Sequence, residues 1–482
     1  MTIRKLVVLC VLAGAHTIFA QTFATLVNFD GTNGISPEAA LVQGINGDLY
    51  GTTNSGGKHN VGTVFKMTPS GALTTLYMFH GAGSAVGDGS FPTSAPVLAI
   101  NGNFYGTTSG GGASNNGTVY EITAAGRLTT IYSFCASGSP CNDGAVPFAG
   151  LVRGANGNFY GTTDRGANCS GLCGTVFTIT AAGKLTTLHS FHKTDGQNPN
   201  GLVLGVDGNF YGTTQAGGAS NAGTVFKITP GGKLTTLHSF SGYPDDGASP
   251  YGGLIQAADG NFYGTTYSGG SILDGAGTVY QITSGGAVTL LHSFTGGLDG
   301  GSPGAALIQG TDGNLYGTTQ YGGANCGPPS GEGCGTIFEI STSGALTTLY
   351  NFCAVNDPAS CTDGFGPFSS LFQATNGTFY GTTAMGGDSS DSAGTAYSLS
   401  TGLGPFVATV PVLGKAGQAV VILGTNLTGA TSVTFNGTAA TFTVKSPTAI
   451  KTSVPTGAAT GAVQVVTPSG TLDSNAPFSV VQ

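Results

Sequence analysis

Across 482 residues there is no tryptophan, which removes every repeat type whose unit is built around one. Charge is nearly as scarce, since Asp, Glu, Lys and Arg together make up 7% of the chain. The 14 Lys and Arg form no patch, so the electrostatic footprint of a nucleic-acid binder is missing and nucleic acid is excluded as a partner. Glutamate is confined to Glu38, Glu121, Glu332 and Glu339, which leaves few ways to flank a scissile bond with a paired acid and base. Past the N-terminal residues arginine occurs only at Arg127, Arg153 and Arg165, too few for a sialidase-type site. No Ser-His-Asp spacing and no metal motif stands out, and the Gly-Gly pairs lack the helix and Lys of a phosphate loop.

Long apolar runs are absent too, apart from one near the start. Arg4 and Lys5 precede the run Leu6 to Ala15, and Ala20 stands before Gln21. This layout predicts a secretory signal over residues 1–20, and the run is too short to span a bilayer. Cys10 inside it follows Leu9 rather than a small residue, so lipidation is not expected. Eight cysteines remain, in close pairs: Cys135 with Cys141, Cys169 with Cys173, Cys326 with Cys334, and Cys353 with Cys361. Local disulfides in an oxidising compartment are the expectation, with cross-pairing between neighbouring loops left open. No His joins any pair at zinc-ligand spacing.

What is abundant is glycine, 85 residues of it, inside a regular pattern. Tyr-Gly-Thr-Thr occurs seven times, at Tyr50, Tyr105, Tyr160, Tyr211, Tyr263, Tyr316 and Tyr380. A period of about fifty residues belongs to propellers and arrays. Each unit has four segments of strand character, in the first unit Ala40–Gly44, Asp48–Thr53, Gly62–Thr68 and Ala72–Phe79. Asn46-Gly47 and its Asn-Gly or Asp-Gly equivalents favour a tight hairpin between the first two. β-branched and aromatic residues alternating with Thr argue for strands, and no helical period is present.

The ends of the repeat decide between a solenoid and a ring. Phe23–Phe29 matches a fourth segment yet precedes the first full unit, while the seventh unit lacks its own fourth segment. A ring needs that exchange, because it removes a free strand edge. The predicted fold is therefore all-β: a seven-bladed β-propeller over residues 21–400, closed by the N-terminal strand. On this arrangement the tight turns share one face, and the variable connections share the other, which is the expected binding face.

The succession Tyr-Gly-Thr-Thr, Gly-Gly, Gly-Thr-Val-Phe, Leu-Thr-Thr-Leu resembles the GloVer tandem repeat of exported bacterial proteins, over residues 23–398. The resemblance implies a bacterial protein that is secreted or held at the cell surface, with the periplasm as the alternative. It implies no established activity, and it implies varied C-terminal anchors, none of which is expected here because the chain ends without a hydrophobic tail. After Leu403-Gly404-Pro405 the pattern changes to short strands separated by turn signals, which suggests an immunoglobulin-like β-sandwich over residues 401–482. That segment resembles an IPT/TIG domain, which implies a spacer or protein contact.

The most regular polar feature is Asp-Gly-x-x-Pro between units, at Asp88, Asp143, Asp195, Asp246, Asp299 and Asp363, with a longer version at Asp30. Seven carboxylates near a channel mouth are candidates for calcium or for sugar hydroxyls. The competing reading is turn chemistry, in which Asp bonds the backbone two residues on and Gly takes positive φ; repetition in every unit favours it. Arg165 and Glu332 are the most individual charges on the variable face. His189, His238 and His292 share a repeat position with Tyr77, Tyr132 and Tyr350, which suggests packing rather than a metal site. No catalytic residue and no metal ligand is assigned; calcium is the one cofactor considered. The expectation is a non-catalytic exported binding or scaffold protein that recognises extracellular glycan or protein. A carbohydrate-active hydrolase or lyase using the Asp residues is the first alternative, and a structural surface protein is the second.

Overall fold

The computed structural model describes residues 21–481 apart from 83–86, 137, 139–140, 167–172, 245, 272–274, 326–333, 355–360 and 389–391. The predicted signal over residues 1–20 lies outside the described residues. Every regular element described is a β-strand. Among the described residues no helix is long and apolar enough to cross a membrane.

Each repeat forms one four-stranded antiparallel sheet. In the first, Val42–Gln43, Leu49–Thr53, Thr63–Met67 and Leu73–Met78 pair in chain order. The first strand is shorter than the segment expected from the sequence. Only Val42 and Gln43 join the ladder, opposite Tyr50 and Leu49. Ala39, just before them, instead offers its carbonyl to a neighbouring sheet. Six such sheets follow the same order, and the seventh takes its fourth strand from the other end of the chain. There Thr22–Asn28 runs antiparallel to Thr395–Ser400, beside Phe379–Thr383 and Phe372–Gln373. An edge strand that would otherwise offer unpaired N–H and C=O groups is thereby covered.

The tetrapeptide is explained residue by residue. The first five residues of the second strand are buried in every unit. Its tyrosine reaches sideways to the next sheet: Tyr50 packs tilted against Phe104 with ring centroids 4.1 Å apart, and Tyr211 against Phe262 at 4.0 Å. Its glycine lies under an aromatic ring of the third strand. A Cβ on Gly51 would fall 2.6 Å from Phe65, and one on Gly264 2.5 Å from the Tyr280 hydroxyl. Its second threonine bonds the first threonine of the third strand, as in Thr53–Thr63 at 2.9 Å and Thr319–Thr336 at 2.8 Å.

The first threonine links sheet to sheet. Thr52 donates to the Ser94 carbonyl, Thr107 to Ala149, Thr162 to Asn200 and Thr213 to Gly252. Thr265 donates to Ala305, Thr318 to Ser369, and Thr382, in the seventh sheet, to Ala39 before the first. Apolar packing follows the same succession. Seven clusters each join two consecutive sheets, among them one in which Phe29, Tyr380 and Ala396 meet Leu41, Leu49 and Phe65. Fully burying one such aromatic ring contributes about 2–3 kcal/mol, so the clusters, with the strand ladders, dominate cohesion.

Residues beyond 405 form two further four-stranded sheets. One contains Ala408–Val410, Ala419–Leu423, Ala449–Ser453 and Phe442–Ser446; the other contains Thr438–Ala439, Ser432–Phe435, Val463–Thr467 and Gly470–Asp473. Between them lies one core that includes Ile422, Leu427, Phe435, Ile450, Val465 and Phe478. This segment sits against the tight-turn end of the repeat sheets. Thr448 donates to the Ile45 carbonyl at 2.8 Å, Asn475 to Gln309 at 2.9 Å, and the Phe406 amide to Thr375 at 3.0 Å.

Candidate functional site

One cavity receives wall residues from all seven repeat sheets. It measures about 350 Å³ and lies at the end of the short first strands opposite the tight turns. The residues lining it come just before, or in the fourth unit within, each first strand. They are therefore held by the threonine bonds described above.

A repeated corner aims them. The residue before the proline of each connection has positive φ in all seven units, for example 57° at Val146 and 52° at Ser249. Non-glycine residues enter this region at a cost, so the surroundings must hold them there. The Val146 amide donates to Asn116 and the Ser249 amide to Ala222, each in the preceding unit. The proline itself lies against the glycine that opens the preceding unit's third strand. A Cβ on Gly62 would sit 2.6 Å from Pro92.

The residue directly after that proline varies among the units, only Phe occurring twice. It is Glu38, Thr93, Phe148, Tyr251, Gly304 and Phe368 in six of them, and all six line the cavity. The fourth unit is one residue shorter, and Asn200 lines the wall there, its carbonyl taking the bond from Thr162. Phe148 and Tyr251 keep 52% and 47% of their surface exposed, which is unusual for rings in so apolar a chain. Tyr251 also meets Tyr267, ring centroids 5.0 Å apart. Burial pushes the Tyr267 hydroxyl up to about 12, assisted by its bond with Tyr321.

Glu38 is the only charged residue among the described residues lining the cavity. Asn54 donates to its Oε2 at 3.1 Å. Burial holds this carboxyl above the usual range for a glutamate, and the Asn54 amide only partly offsets that. Most other polar groups of the wall are engaged. Thr93 donates to the Phe148 carbonyl at 2.7 Å, and Asn200 to Thr213 at 3.0 Å.

None of the seven repeated Asp residues lines this cavity. Each instead closes its own connection. Asp88 accepts from the Tyr77 hydroxyl at 2.8 Å and the His80 amide, Asp143 from Tyr132 and the Cys135 amide, and Asp363 from Tyr350 and the Ala354 amide. His takes the tyrosine's place in three units. His189 pairs with Asp195 at 3.0 Å, His238 with Asp246 at 2.7 Å and His292 with Asp299 at 3.1 Å. Asp30 binds Thr32 and the Asn33 amide within its own turn. Burial would raise the Asp195 and Asp246 carboxyls, but the His and backbone donors outweigh it and hold both below the ordinary value.

The exchange of Tyr for His at this position thus has a polar cause that packing alone does not supply. Both rings carry a hydrogen-bonding atom at their far edge, and the partner is the same Asp. Arg165 lies 3.6 Å from Asp164, largely exposed and outside the cavity wall. Glu332, Cys169 and Cys326 lie outside the described residues. Cys135–Cys141 and Cys353–Cys361 are disulfides, and Cys173 and Cys334 are each disulfide-bonded.

Two crevices of about 240 and 210 Å³ lie where the C-terminal sheets meet the tight-turn end. Neither has a charged lining residue, and each draws on only two or three repeats. Convergence of every repeat, and not size, singles out the seven-sided cavity, since a pocket of about 360 Å³ beside Asp30 and Lys58 draws on the first unit and its N-terminal connection alone. The sequence does hold a signal for this convergence. A position that varies directly after a constant proline, in a chain where most positions recur, is where individuality is concentrated.

The sequence matches the profile of the Gloeobacter/Verrucomicrobia repeat over residues 15–173, 168–397 and 275–445. No curated protein matches significantly. Among solved structures, a candidate gluconolactonase is 15% identical with a TM-score of 0.36, covering 66% of this chain and 89% of its own. A candidate 6-phosphogluconolactonase from Bacteroides uniformis is 14% identical with a TM-score of 0.40, covering 65% and 84%. A protein of unassigned function from Bacteroides thetaiotaomicron has the same identity and TM-score, covering 79% and 76%. Likenesses this remote carry no activity over to the present chain.

Proposed function

The chain belongs to the Gloeobacter/Verrucomicrobia repeat family, and from that premise we propose that it is an exported, non-catalytic binding protein that recognises extracellular glycan or protein through the seven-sided cavity. In this reading residues 1–20 are an export signal and residues 21–400 close as a seven-bladed propeller. Residues 401–482 are an immunoglobulin-like, IPT/TIG-type domain that blocks the tight-turn end and leaves the cavity a blind cup. The bond from Thr382 to Ala39 and the pairing of Thr22–Asn28 with Thr395–Ser400 support closure. The disulfides are in keeping with export.

The observation that carries the binding reading is the wall itself. Seven units present one constant frame and a side chain after each proline that takes six identities, Phe alone occurring twice, which is how a repeat specifies a ligand. Glycoside hydrolysis needs two carboxyl groups about 5–9.5 Å apart, and the described wall supplies only Glu38. The repeated Asp residues serve in this reading as clasps of their own connections, which leaves calcium without a purpose-built site.

The test is binding of residues 21–482 to an immobilised glycan array, with calcium and then with chelator, alongside Tyr251→Ala. Calcium-independent binding that Tyr251→Ala abolishes is the expected result. Calcium dependence would restore the Asp residues as ligands, and turnover of a bound glycan would replace this reading with the hydrolase or lyase alternative. A blank array together with self-association in solution would favour a structural surface role.

A further inference from the structure

Resting on the cavity as the binding site, we infer that its ligand carries an organic ammonium group, held by the Glu38 carboxylate and the Phe148, Tyr251 and Phe368 rings. A cavity of about 350 Å³ suits a small molecule or the end of a longer one. Three aromatic side chains line it, from the third, fifth and seventh units. Aromatic faces attract cations, and quaternary ammonium groups are bound in cages of such rings. The wall holds one negative charge and no Lys, Arg or His among the described residues. A half-buried carboxylate with a single amide donor is poorly compensated, and a bound cation supplies what is missing.

A neutral polyol fits less well. Each of its hydroxyl groups needs a partner when desolvated. Here the seven carbonyls of the wall already accept from threonine hydroxyls, and the Thr93 and Asn200 side chains are committed. Backbone groups and hydroxyls remain open in the wall, but Glu38 is its only charge among the described residues, and a cation uses that charge and the rings as a neutral polyol does not.

Two classes of molecule carry such an ammonium group, an amino sugar and a choline-type molecule, and titration calorimetry separates them. Residues 21–482 are titrated at pH 7 with D-glucosamine and its neutral twin N-acetylglucosamine, then with choline and its neutral isostere 3,3-dimethylbutan-1-ol. At least one cation is expected to bind at least tenfold tighter than its twin. Glu38→Gln is expected to weaken that cation by tenfold or more, and Tyr251→Ala by about two- to thirtyfold. Unchanged melting of both variants excludes a folding defect.

Equal affinity for charged and neutral twins, or an unaffected Glu38→Gln, overturns the ammonium assignment. If neutral sugars bind and Tyr251→Ala still removes them, the cavity remains the site and only its charge selectivity falls. If neither pair binds and the glycan array is blank, the site itself falls.

Discussion

The two ends of the short first strands are built from the same repeat but treated differently. At the tight-turn end the repeats resemble one another, and glutamines lock neighbour to neighbour. Gln256 accepts from the Val206 amide, Gln309 from Ala258 and Gln43 from Thr375. The C-terminal sheets then cover that end, with Val421 and Leu423 packed among Tyr50, Phe104 and Ile45. At the other end the frame is equally regular, yet the side chain it presents varies among the units, Phe alone recurring, and lines an open cavity. Uniform contacts are what cohesion between identical modules needs. Recognition needs the opposite, one place at which modules differ.

The largest effect should come from breaking the frame where its two chain ends meet. Removing residues 21–29 strips the seventh sheet of its fourth strand and deletes the fully buried Phe29. Loss of one such ring costs about 3–5 kcal/mol, so calorimetry should show melting lowered by well over 5 °C. Gel filtration should show association through the exposed Thr395–Ser400 edge. Unchanged melting of a monomer would mean that the strand exchange contributes nothing.

A matched pair of glycines sharpens the contrast. Gly264→Ala drives a methyl into Tyr280, whose ring is fixed in the core, and should cost about 1–3 kcal/mol in denaturant titration. Gly304→Ala in the cavity wall meets the end of the buried Gln320 side chain, which can turn aside more readily than a core ring, and should cost less than Gly264→Ala, about 1 kcal/mol or under. Equal costs would erase the distinction between frame and wall.

Acid provides the next test, because three carboxylates of the frame are lowered while Glu38 in the wall is raised. Asp195 and Asp246 titrate below the ordinary value of 3.8, and Asp207, bonded by Lys227 and Asn209 against the cost of burial, titrates at about 2. A lowered folded value means these groups stabilise above pH 3.8, and that this is lost as pH falls through the folded values. Stability should therefore drop steeply below pH 4. Glu38 is raised, so its ionised form works against folding near neutrality. Glu38→Gln should leave melting at pH 7 the same or slightly higher, measured by calorimetry, while acting on ligand binding. A marked fall in melting would make Glu38 part of the frame.

The smallest effect expected is a gain. Tyr280 stands where Phe65, Phe177, Phe226 and Phe338 stand in four other units, and its fully buried hydroxyl has no partner among the described residues. Tyr280→Phe should stabilise by about 1 kcal/mol in denaturant titration; a loss would reveal a bond to that hydroxyl.

Much of the repeat was legible from spacing alone. Strand positions in each unit, the Asn-Gly and Asp-Gly turns and the role of Phe23–Phe29 as a fourth strand all follow from short-range pattern. Each depends on φ preferences and alternation within a few residues. Two of the four cysteine pairs, Cys135–Cys141 and Cys353–Cys361, also matched their nearest-neighbour reading. The length of the first strand was not legible, because Ala39 gives its carbonyl to Thr382, some 340 residues away. The pairing of Tyr or His with Asp was missed for a related reason. Both positions were visible as repeats, but their separation of 6 to 13 residues spans a connection of variable length.

By itself, then, the sequence determined the unit: four strands, their turns and the residues that must be small or aromatic, since those are set by local backbone chemistry. Only the tertiary structure decided which residues face a common space. Glu38, Phe148 and Phe368 are some 110 to 330 residues apart, and no local pattern connects them. They share one cavity because the threonine bonds and buried rings between sheets fix where each proline corner points.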